Sequence, residues 1–106
     1  MDEQQNLERL RSTCSGIRRL YLARQAGIES MVEEREHIAQ RARDARAQER
    51  QESDPIKKNF IKREVSSLVS ELSSTDRSIG TKLRQLTEYQ SDYELNQCPA
   101  LFGSLD

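Results

Sequence analysis

The chain has 106 residues, 33% of them charged and 34% apolar, with no Trp, five aromatics among Tyr and Phe, and a formal charge of −1. That length allows at most one domain, and the polarity excludes a large compact core. The balanced charge gives no general pull toward nucleic acid or anionic membrane, and no apolar run approaches the roughly 20 residues of a membrane span.

Residues 1–6 read as a polar, frayed lead-in, and their acidic start lacks the character of a secretory signal. The organising stretch begins at Leu7. Numbered in sevens, its inward positions are Leu7, Leu10, Cys14, Ile17, Tyr21, Arg24, Ile28, Met31, Arg35, Ile38, Ala42 and Ala45. Steps of three and four alternate without a slip, and only Arg24 and Arg35 interrupt the apolar series. This spacing predicts one long helix over 7–50 with a narrow seam that needs another helix on it. Beyond Val32 the seam shrinks to Ile38, Ala42 and Ala45, which bury less area per turn and make that end the more weakly held. Basic residues up to position 50 are all Arg, ten against nine acids, and Lys appears only from Lys57. Arg41, Arg43, Arg46 and Arg50 crowd the thin end. They fit an anionic docking patch or a solvated face of good helix formers; no aromatics interleave them, as single-strand binders require.

Residues 51–54 are the turn. Asp54 suits the cap of a new helix and Pro55 its first position, where no backbone donor is needed. So short a connection predicts an antiparallel pair. The second helix, 55–94, has the seam Ile61, Val65, Leu68, Leu72, Thr75, Ile79, Lys82, Leu86, Tyr89 and Tyr93. Its many serines make it intrinsically poorer than the first, and Gly80 predicts a kink or a close helix approach near Ser78. Residues 95–106 form an irregular apolar tail in which Leu101, Phe102 and Leu105 either fold back on the hairpin or mark a cut in a longer protein.

The fold expected is therefore all-α: two long antiparallel helices, a coiled-coil-like arm, and a tail. Candidate interaction residues are the seam positions Leu10, Ile17, Tyr21, Ile28, Met31, Ile61, Leu68, Leu72, Ile79, Leu86 and Tyr89.

No chemistry-bearing constellation stands out. Cys14 and Cys98 lie far apart with no second Cys or His at ligand spacing, which reads as two reduced thiols in a cytoplasmic chain, Cys14 packed as a small hydrophobe. His37 sits among Glu33, Glu34 and Arg41 as a solvated histidine or a pH-sensing one. Glu33, Glu34 and Glu36 do not converge, since neighbouring helix positions point apart. Zinc spacing, phosphate-cradling loops and nucleophile–base pairs are missing, so no enzyme, cofactor or metal is expected. The partners expected are proteins, as helices or short peptides, with further helices or a partner chain, no nucleic acid, and membrane contact indirect at most.

Three short stretches resemble the V-shaped domain of ALIX-type adaptors. The run Ser74-Thr75-Asp76-Arg77-Ser78-Ile79-Gly80-Thr81-Lys82-Leu83 is similar to the family's (Ser/Ala)-Asp-x-x-(Val/Ile) step with its following basic and apolar residues. The segment from Leu95 to Leu105 resembles the Leu-rich loop that closes that helix. Met31-Val32-Glu33-Glu34-Arg35-Glu36 falls where the family has an acidic stretch in a long helix. The family's Trp and Pro-Ser between the helices are represented only by Gln51-Glu52-Ser53-Asp54-Pro55. The resemblance implies a protein-binding scaffold segment in ESCRT-linked sorting, multivesicular-body formation or abscission, with an endosome-associated location. The family's peptide groove lies in a later part of the domain, so none of its binding residues carries over. The alternative from another class is a structural subunit of a hetero-oligomeric coiled-coil assembly, such as a tethering, kinetochore or cytoskeletal complex.

Overall fold

A computed structural model describes residues 3–105 of the chain. Helix α1 spans Glu3–Gln51, α2 spans Pro55–Leu95, and a short α3 spans Cys98–Phe102; no strand occurs among the described residues. The fold is an antiparallel helical hairpin with a folded-back tail. Of the lead-in, Met1 and Asp2 lie outside the described residues, while Glu3–Asn6, expected to fray, is the first turn of α1. Asp106 also lies outside them.

The turn forms by local hydrogen bonding. At the end of α1 the Glu52 N–H donates to the Gln48 carbonyl at 3.0 Å. The Ile56 N–H donates to Asp54 Oδ1 at 2.9 Å, and the Lys58 N–H donates to the Asp54 carbonyl at 2.9 Å. Asp54 is thus the cap and Pro55 the first helical residue, where its missing N–H costs nothing. The carboxylate of Glu52 accepts from the Asp54 N–H at 3.1 Å, which ties the two ends of the turn together.

The chain divides into two compact units. The first comprises, among the described residues, 3–28 and 81–105. Its core is Cys14, Tyr93 and Cys98, with Leu10, Ile17, Leu101 and Leu105 packed against them. The tail therefore supplies the third element that two single-stripe helices need. Its path depends on two residues with positive φ. Gln97, at φ 59°, turns the chain out of α2, and Pro99 then opens α3. Gly103, at φ 77°, ends α3 while its N–H donates to the Pro99 carbonyl at 2.9 Å. A side chain at this backbone angle would be strained, so the position calls for glycine.

The second unit comprises residues 29–80. Ile38, Ala42 and Leu68 form its buried cluster with Leu72 against it, and Ala39, Ala45, Val65 and Glu49 are also buried. Small alanines on α1 meet larger Val and Leu on α2, so the thin end of the first seam is filled from the other helix. Burying this stripe offsets the weak intrinsic propensity of the serine-rich α2. Gly80 does not mark a close approach: a Cβ there would meet nothing within 4 Å, and α2 remains one helix through it.

Candidate interaction surfaces

Six of the eleven candidate residues are buried or packed on a buried cluster. Tyr21, Ile28 and Leu68 are buried. Leu10 and Ile17 pack on the cysteine cluster and Leu72 on the Leu68 cluster. Met31, Ile61, Ile79, Leu86 and Tyr89 are half-buried. The seams are thus used within each unit to close the hairpin.

The expectation of two reduced thiols is overturned. Cys14 and Cys98 form a disulfide, with sulfurs 2.06 Å and Cα atoms 5.4 Å apart, and neither cysteine is free. Cys14 is at a seam position, and the Gln97 turn brings Cys98 back beside it. The same turn explains Tyr93. Its ring is buried to within 2% of full, and its hydroxyl donates to the Gly103 carbonyl at 2.7 Å. A buried phenol without that acceptor would leave a polar group unpaired. Leu101 is held in this core, whereas Phe102 is exposed. Beside it lies a cleft of about 380 Å³ lined by Gln90, Tyr93, Glu94, Pro99, Ser104 and Leu105.

The two arginines that interrupt the first seam have different fates. Arg35 Nε donates to Asp76 Oδ1 at 2.6 Å, and its Nη2 to Asp76 Oδ2 at 3.4 Å, a two-pronged bridge from α1 to α2. This hydrogen bonding, with the attraction of opposite charges, holds the Asp76 carboxyl below the usual aspartate range and raises the Arg35 guanidinium above its own. Among the described residues Arg24 has no such bridge: its Nε is buried without a hydrogen bond, as is Gln85 Oε1. Nothing in the apolar periodicity pointed to Asp76, which lies off the second seam. Glu49 was equally hidden. It continues the first seam one step past Ala45, is buried, and accepts from Arg46 Nη1 at 3.2 Å.

In the second unit a groove of about 540 Å³ has Ala39, Ala42, Val65, Val69 and Leu72 as its apolar lining. Arg35, Arg43, Arg46 and Arg50 complete it. Val69 is half exposed. Just past the turn, Ile56 and Phe60 are 70% and 65% exposed, four apart on one face of α2, with Arg63 beside them. His37 is exposed, and no group of three or more His, Cys, Asp or Glu among the described residues is placed to hold a metal ion. No helix of the described residues is long and apolar enough to cross a membrane.

No family model, no curated protein and no solved structure matches this chain.

Proposed function

We propose that this chain is a protein-binding adaptor or scaffold segment, a helical arm that holds other molecules rather than transforming them. The observation that carries this reading is the division of its apolar surface. The seams are consumed inside the hairpin, while Ile56, Phe60 and Val69 remain exposed on the outside beside arginines. Exposed apolar side chains rimmed by charge are the usual make-up of a protein-binding face. Within this class the short resemblances around Asp76 and Leu95 point to an ALIX-type, ESCRT-associated role, and the Cys14–Cys98 disulfide weighs against it, because that role belongs to the reducing cytoplasm. The alternative is a subunit of a hetero-oligomeric coiled-coil assembly, which the exposed Leu20, Leu22 and Leu83 favour as sites for a further helix.

The disulfide bears on location. A bond between helix-borne cysteines 84 positions apart belongs to a chain that works where thiols are oxidised. We therefore place the working form in an oxidising compartment rather than in the reduced cytoplasm. Alkylation of the protein in freshly lysed cells, before any reduction, tests this: blocked thiols are expected, and two freely labelled cysteines would refute it.

The adaptor reading is tested by co-precipitation with defined ESCRT components, comparing the native chain with Phe60→Ser and Val69→Ser. Capture lost in the surface variants, with helicity retained, supports it. Capture of none of them by any form, together with an isolated chain that is unfolded, favours the assembly subunit.

A further inference from the structure

Away from its seam, α1 carries an exposed stripe with Glu29, Glu33 and Glu36 in its first half and Arg43, Arg46 and Arg50 in its second. The first half is acidic and the second basic, and the sign changes at Ala39–Gln40. Reversing the stripe about that point sets Glu36 opposite Arg43, Glu33 opposite Arg46, and Glu29 opposite Arg50. Val32 falls opposite Ala47. Such a surface is its own complement in the antiparallel sense, which is the requirement for a two-fold symmetric contact.

The structure shows that the central charges share one face. Arg43 Nη2 donates to Glu36 Oε1 at 2.5 Å, across two turns of α1, and both side chains are more than half exposed. An exposed pair of this kind contributes little by itself and readily accepts a second partner. Val32 and Ala47 are the exposed apolar residues between these charges.

We propose that a second copy of this chain binds here, α1 against α1, antiparallel and centred on Ala39–Gln40. At the centre, Glu36 and Arg43 of both copies form a four-charge cluster of alternating sign. An anionic lipid surface suits this stripe less well, because Glu29, Glu33 and Glu36 would be brought against like charge. The apolar content is small, so the dimer is weak and salt-sensitive.

The test is multi-angle light scattering of the full-length oxidised chain from roughly 10 µM to 1 mM, a range suited to weak association. The mass is expected to rise toward twice that of one chain, less so at high salt. Glu36→Arg alone and Arg43→Glu alone each set like charges face to face and should hold the mass at one chain, with circular dichroism unchanged. Mixing these two single variants restores every opposite-charge pair and should restore the doubled mass, as should the double variant. A wild-type mass of one chain throughout overturns the proposal. So does a dimer indifferent to both single swaps, or one that mixing fails to restore. A monomer that binds anionic vesicles through Arg43 assigns the arginines to lipid and overturns it too.

Discussion

Arg35 of α1 and Asp76 of α2 are joined by two hydrogen bonds, so one of the two charges that interrupt the first seam becomes a clasp between the helices. The pair is partly exposed, and its value lies chiefly in alignment, since only one register of the two helices brings a guanidinium fork onto that carboxylate. Its pH dependence follows from the sign of the shift. Asp76 is held below its ordinary value, so its contribution is present above the usual aspartate range and is lost as pH falls through the lowered folded value. Arg35 stays charged throughout that interval. Urea denaturation from pH 6 downward should therefore show an acid-limb loss of stability that Asp76→Asn makes smaller.

The disulfide should be the largest single contributor to stability. It closes a loop of 84 residues in the unfolded chain, which the chain-entropy view values on the order of 4–5 kcal/mol. Thermal melting with and without reductant, and of Cys14→Ser with Cys98→Ser, is expected to show a large drop in Tm. Part of the reduced chain should remain helical, because the Ile38–Leu68 cluster does not involve the cysteines.

Tyr93→Phe isolates the contact that seats the tail. The ring stays, the donor to the Gly103 carbonyl goes, and the loss should be about 1 kcal/mol, the usual net value of such a bond. Amide exchange in 99–105 should quicken more than exchange in 61–72. Equal changes in both would mean that the tail is not held through this hydroxyl.

Two glycines should respond in opposite directions. Gly80 lies in a helix interior with open space where a Cβ would go, so Gly80→Ala should stabilise by about 1 kcal/mol. Gly103 sits at φ 77°, and Gly103→Ala should destabilise by about 1 kcal/mol despite similar free space. Urea melts of the two variants read both signs.

Much of this architecture was legible in the residues. Alternating steps of three and four from Leu7 to Ala45 and from Ile61 to Tyr93 marked the inward faces, and Asp54-Pro55 marked the turn. These signals are local, and local rules govern them. The disulfide was not legible, because the approach of Cys98 to Cys14 exists only once α2 has returned along α1 and Gln97 has turned the chain. The same holds for Tyr93 and Gly103. Arg24 and Arg35 look alike in the heptad, yet only Arg35 meets a carboxylate; that difference depends on which residue α2 places opposite each. The outward stripe from Glu29 to Arg50 was readable as charge but acquires meaning only when the inward face is known to be occupied.

The central claim is that the two seams bury each other within one chain, leaving the outer faces for partners. The most direct measurement is methyl NOE spectroscopy on the oxidised chain, prepared both uniformly labelled and as a mixture of labelled and unlabelled molecules. Contacts from Ile38 and Ala42 to Leu68 and Leu72 are expected in the uniform sample, with no intermolecular transfer between these residues in the mixture. Their absence, or their appearance only between molecules, would contradict the account.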